Sequence, residues 1–242
     1  MVEVPGSIAA AFVLLVVALG VLLLVGLNRG LARLERPTAR RLRTVRLVGL
    51  GLGLWLLLTG AAAARGVFLR FNALPPPIAF AIVPAIAAAF VVGSSRAARV
   101  VADAVPGRWI VALQSFRIVV EIILWRLAVH HALPEVMTWN GRNFDVVTGL
   151  TAPLVAYLGF ADGRSRRTLL TLWNVAGLLL VTNVFVHGML SAPTPFRVLV
   201  TDPPNTVIGQ LPFVWLPAFV VPIAYFLHIV SLRRDSRRRE DR

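Results

Sequence analysis

The stretch IAAAFVLLVVALGVLLLVGL, residues 8–27, holds no charge in twenty positions. Wound as an α-helix at 1.5 Å per residue it is about 30 Å long, the thickness of a bilayer's hydrocarbon core. Seven arginines follow it at once, between residues 28 and 46. A cleaved signal peptide reverses this pattern, with basic residues first and a shorter apolar run after them. Here the leading segment holds Glu3 and no arginine. The run therefore reads as a retained anchor whose N-terminus lies outside.

Six further apolar runs follow, at 47–64, 78–93, 109–133, 144–161, 168–190 and 211–232. The expected fold is an all-α integral membrane protein, one transmembrane domain built as a bundle of seven helices. No repeat of the chain within itself is evident. Composition agrees. The 242 residues are 57% hydrophobic with a mean hydropathy of +0.78, yet the net charge is +14 and the pI near 11.9. A charged fraction of 15% is too small to cover a soluble basic domain, and the hydrophobicity is too high for disorder. Cysteine is absent and all 25 basic residues are arginine. These absences exclude disulfides, iron–sulfur clusters and a retinal Schiff base, which needs a lysine amine.

Arginine placement sets the expected orientation. With seven spans, segments 28–46, 94–108 and 162–167 and the tail 233–242 share one side and hold 19 arginines. The other side holds four: Arg65, Arg70, Arg142 and Arg197. The positive-inside rule then puts the C-terminus in the cytoplasm. The third run is the shortest and follows Pro75, Pro76 and Pro77. Omitting it would reverse every later segment and undo the bias. The basic tail reads as an anchor against anionic lipid, and no nucleic-acid partner is implied. Gly49 with Gly53, and Ala81, Ala85, Ala89 and Gly93, form small-residue stripes suited to close helix contact. Pro153, Pro217 and Pro222 predict kinks.

The fourth run carries the polar residues that matter most. Gln114, Arg117, Glu121 and Trp125 recur every three or four residues and so share one helix face. Arg117 and Glu121 fall about 12 and 18 Å above the cytoplasmic end. An unpaired carboxylate at that depth costs at least about 2.5 kcal/mol. Glu121 must pair, take up a proton or face water, and Arg117, one turn away, is the expected partner. Asn174 and Tyr225 fall near the level of Arg117 and can take its remaining donors. Asn183 and His187 lie higher, with Arg126, His130 and His131 at a similar outer level. Together they can form a polar path toward Glu121.

The outer loop PEVMTWNGRNFD, residues 134–145, is the second dense segment. Asn140-Gly141 signals a turn, and Asn143 is an expected N-cap for the fifth span with Asp145 in its first turn. Arg126, His130, Glu135, Arg142, Asn143 and Asp145 are candidates for the outer mouth. A sharper alternative is a metal site from His130, Asp145 and His187, but no zinc-binding spacing is present. Haem is not expected: His187 and His228 lie over about 20 Å apart along the membrane normal. The loop 191–210, with Pro193, Pro195, Pro203 and Pro204, either covers the outer mouth or only joins two helix ends.

The segments QSFRIVVE (114–121), PEVMT (134–138), GRNFD (141–145) and GLTAP (149–153) resemble the core of an uncharacterised family of bacterial multi-pass membrane proteins. The resemblance implies a bacterial inner membrane and no established activity.

Three functions are open to such a chain. The first is binding or transport of a small solute, ion or proton through a polar core of Gln114, Arg117, Glu121, Asn174, Asn183, His187 and Tyr225. The second is a structural or accessory subunit of a membrane complex, or a homo-oligomer, in which the polar pairs lock packing. The third is a membrane-embedded metal-dependent hydrolase at the outer leaflet using His130, Glu135, Asp145 and His187. The balance leans away from an enzyme, and no cofactor is expected.

Overall fold

A computed structural model describes residues 3–161 and 165–240, with side chains through Arg234. Arg164, Arg242, Asp162 and Asp241 lie outside the described residues, as do the side chains of Arg237, Arg238 and Arg239. The described residues form helices joined by loops, without a strand. Among the described residues nine α-helices follow one another: α1 (Gly6–Arg33), α2 (Thr38–Ala64), α3 (Ala79–Ser94), α4 (Arg96–Ala104), α5 (Gly107–Leu113), α6 (Phe116–Val129), α7 (Val146–Leu158), α8 (Arg167–Ser191) and α9 (Val221–Glu240). A π-helical turn, Leu216–Val220, leads directly into α9.

Among the described residues, four stretches are long and apolar enough to cross a membrane: α1, α2, α8 and Leu216–Arg234. A fifth is the pair α3 and α4, bent by 66°. The break falls at Ser95, whose extended backbone ends α3 and whose hydroxyl caps α4 by accepting from the Ala98 N–H at 3.1 Å. The far end of α4 is also capped. Arg33 on α1 donates to the Ala104 carbonyl at 3.1 Å, and Arg234 on α9 donates to the Ala102 and Val105 carbonyls. Positive charge at a helix C-terminus is favourable, so three helices are tied together at that end of the bundle.

The expected span 109–133 is not one helix. At Gln114 and Ser115 the bonds tighten from i→i+4 to i→i+3: Gln114 N–H reaches Val111 O at 3.1 Å and Arg117 N–H reaches Gln114 O at 3.2 Å. This separates α5 from α6. No glycine or proline marks the break. The helix also stops at Val129. His131 adopts a left-handed φ of 52°, and Ala132 N–H reaches back to Leu127 O at 2.9 Å, closing the end. His130 and His131 are thus not successive residues of a helix. The expected span 144–161 contains a shorter helix, α7, with Pro153 inside it.

The segment Leu216–Arg234 is the axis of the bundle, more enclosed than the other long apolar stretches. The stripe on α3 seats on it: Ala81, Ala89 and Gly93 are buried. A methyl at Gly93 would lie 3.1 Å from Ile229 Cγ2 and 3.4 Å from Phe226 Cδ2. Gly53 on α2 meets nothing within 4 Å. Gly93→Leu is therefore expected to lower stability by about 1–3 kcal/mol through overpacking. Gly53→Leu is expected to leave it unchanged. Thermal midpoints in detergent read both.

Candidate functional site

Close helix packing sets the site. On α7, a methyl at Gly149 would lie 2.9 Å from the Ile118 backbone N and 3.2 Å from Arg117 Cβ. Glycine there lets α7 press against the backbone of α6 beside Arg117. Asp145, one residue before α7, then reaches the guanidinium: Arg117 Nη1 donates to Asp145 Oδ1 at 2.7 Å. The same nitrogen lies 3.5 Å from the Gly177 carbonyl of α8. Arg117 is 2% exposed. One side chain thus links α6, α7 and α8.

Glu121, one turn further along α6, does not pair with Arg117 as the sequence suggests. The loop 134–145 returns into the bundle and takes it instead. Glu121 Oε1 accepts from the Trp139 backbone N–H at 2.7 Å, and Oε2 from Asn143 Nδ2 at 2.5 Å. Both carboxyl oxygens act as acceptors. Neither partner is charged. Asn143 is fixed in turn: its Nδ2 also donates to Met137 O at 3.0 Å, and its Oδ1 accepts from the Asp145 N–H at 3.0 Å. Its side chain bonds a backbone N–H two residues on, ahead of the helix, so Asn143 is not an N-cap. Asp145 holds that position, without a side-chain capping bond.

The turn signal at Asn140-Gly141 has a structural consequence. Gly141 N–H reaches Thr138 O at 2.9 Å, and Asn143 N–H reaches the same carbonyl at 3.1 Å. A methyl at Gly141 would fall 2.4 Å from Glu135 O and 2.5 Å from Val136 Cα. The loop is closed backbone on backbone. The Trp139 ring stacks on Trp125 at 5.8 Å, which continues the polar face of α6 toward its C-terminal end as an aromatic pair.

A cavity of about 50 Å³ adjoins this network. Arg117, Glu121, Asn143, Asp145 and Asn205 form its polar wall, and residues such as Phe116, Leu124, Val181, Val184 and Ile208 its apolar one. Leu216, Pro217 and Val220 of the π-helical turn also line it. A π turn widens the helix locally, and such turns recur at functional sites. Loop 191–210 contributes Asn205 and Ile208, both buried, so it covers the cavity rather than merely joining helices. Asn205 was not singled out in the sequence. It sits in D-P-P-N-T, which signals a turn and nothing about depth.

The remaining candidates separate. Gln114 is buried and its Nε2 lies 3.4 Å from the Ala224 carbonyl. Asn174 and Tyr225 do not reach Arg117. Asn174 Nδ2 donates to Leu170 O and Ser231 Oγ, and its Oδ1 takes His228 Nδ1 at 2.9 Å. The Tyr225 hydroxyl meets Thr182 Oγ1 at 2.9 Å. Two guanidinium nitrogens of Arg117, Nε and Nη2, are buried without a protein partner. Asn183 donates to the Arg142 carbonyl at 2.6 Å, and His187 Nδ1 meets Asn183 O on its own helix. Both stand apart from the cavity lining. Arg126, His130, Glu135 and Arg142 are exposed, whereas Asn143 and Asp145 turn inward. The geometry therefore does not gather His130, Glu135, Asp145 and His187. Among the described residues no group of three histidines or acids is placed to hold a metal ion.

No curated protein and no solved structure matches the chain. One family does, across residues 73–234, a stretch that contains α3 to α8, the loops 134–145 and 191–210 and all of the polar network described above. The chain belongs to that family, a domain of unknown function (DUF8737).

Proposed function

We propose that this is a bacterial inner-membrane protein crossing the bilayer seven times, N-terminus outside and C-terminus cytoplasmic. Its polar core around Glu121, Arg117 and Asp145 binds or conducts a small solute, ion or proton. In this reading α3 crosses alone and α4 lies in the cytoplasmic segment 94–108, α5 with α6 form one composite span, and α7 is the short one. The arginine distribution supports the orientation, and the cytoplasmic arginines favour anionic lipid. The observation that carries the function is the buried Arg117, which keeps two nitrogens without a protein partner beside a cavity. A residue kept only for packing would use its donors, because leaving them unmade is costly.

Flux of protons and small solutes into vesicles holding the purified protein tests this reading. Glu121→Gln places an NH₂ against the N–H of Trp139 or Asn143, so unfolding must be measured alongside. Val120→Phe, which fills the cavity from α6, is the second variant. A fall of at least about tenfold in flux, with the fold retained, is the expected outcome. Unchanged flux in both variants overturns it. Loss of folding without any flux in the parent protein favours the alternative, an accessory subunit or homo-oligomer. The link that Arg117 makes between α6, α7 and α8 suits that role.

A further inference from the structure

The cavity wall states what it will accept. Arg117 uses Nη1 for Asp145, and its other nitrogens, Nε and Nη2, are buried without a protein partner. Those two N–H groups point the same way from a planar fork and suit a single oxygen or a pair of oxygens. Asn205, 0% exposed, lines the same cavity. Its Nδ2 donates to Gly188 O at 3.0 Å and its backbone N–H to Ser191 O at 3.1 Å. This fixes the amide orientation and leaves Oδ1 as an acceptor without a protein partner. The rest of the lining is largely apolar.

Charge and size narrow the ligand. Arg117 is already matched by Asp145, and an anion such as a carboxylate has no N–H to offer Asn205 Oδ1. A metal cation needs several oxygen ligands around it, and the free guanidinium edge presents N–H groups instead. A cavity of about 50 Å³ has room for about four water molecules, the size of a molecule with four non-hydrogen atoms.

We propose that this cavity binds a small uncharged amide. Its carbonyl oxygen accepts from Arg117 Nε and Nη2, and its N–H donates to Asn205 Oδ1. This assignment rests on the polar-core reading above and names its ligand class.

Equilibrium dialysis of labelled acetamide against the full chain in lipid nanodiscs tests it. Saturable binding of one molecule per chain is expected, with formate and methylammonium, its charged counterparts, competing poorly. Asn205→Leu and Val120→Phe are each expected to weaken binding at least about tenfold. Binding that does not saturate below about 100 mM, displacement by formate or methylammonium, or full binding by both variants overturns the assignment. Where acetamide fails to bind but flux still depends on Glu121 and Val120, only the ligand class is wrong. Where flux ignores both residues, the polar-core reading falls with it.

Discussion

Arg117→Met is expected to destabilise the protein by about 3–5 kcal/mol, the range for removing one partner of a buried ion pair. The effect comes less from the lost bond than from what stays behind. Asp145 is 9% exposed and takes its short contact from Arg117 Nη1 at 2.7 Å. With methionine at 117 its carboxylate is left buried with no cation against it. The same substitution removes the contact to the Gly177 carbonyl, so α8 loses its polar link to α6. Adding Asp145→Leu to Arg117→Met is expected to restore much of the loss, since well-packed apolar residues often replace a buried pair without penalty. Glu121→Leu in the same background is not expected to rescue, because Glu121 is held by Trp139 and Asn143. Denaturation in mild detergent measures all three. Rescue by Glu121→Leu but not by Asp145→Leu would show that the pairing runs the other way.

Gly141→Val carries the second large effect. Even its first added carbon meets the Glu135 carbonyl at 2.4 Å and Val136 Cα at 2.5 Å. Both are backbone atoms and cannot swing aside as a side-chain tip can. The loop must open, which takes the Trp139 N–H and the Asn143 amide away from Glu121. Overpacking together with the loss of two buried hydrogen bonds amounts to at least about 3 kcal/mol. Trp139 would also leave Trp125, so tryptophan fluorescence is expected to change with the midpoint. Gly51→Val, in open surroundings on α2, is the control and is expected to change neither.

How far the residues announced this structure depends on what each signal measures. Apolar length is a direct response to bilayer thickness, so α1, α2, α8 and the segment leading into α9 stand where the runs lie. Helix periodicity put Gln114, Arg117 and Glu121 on one face, and all three are buried. Spacing along one helix cannot say which partner comes from elsewhere. A glutamate four residues from an arginine reads as a pair, yet Asp145 and Asn143, more than twenty residues on, take the two roles. That outcome depends on a loop that turns back into the bundle, and its only local trace was Asn140-Gly141. The break at Gln114–Ser115 carries no glycine or proline. Asn205 enters the cavity because its amide and backbone both bind the end of α8, a tertiary contact with no periodic signature. Asn143 was legible as a residue that bonds a backbone N–H nearby, but not as one that also holds a carboxylate.

The native chain has no cysteine, so single cysteines report without background. Cysteines placed one at a time at Val184 and Val220, on the cavity wall, and at Leu127, 1% exposed and not part of that wall, test the polar-core account most directly. The reagent is methyl methanethiosulfonate, small and uncharged, applied to the folded protein in bilayers. The account predicts that positions 184 and 220 are modified, that acetamide slows their modification, and that position 127 is protected. Equal protection at all three positions would show a dry, packed core and contradict it.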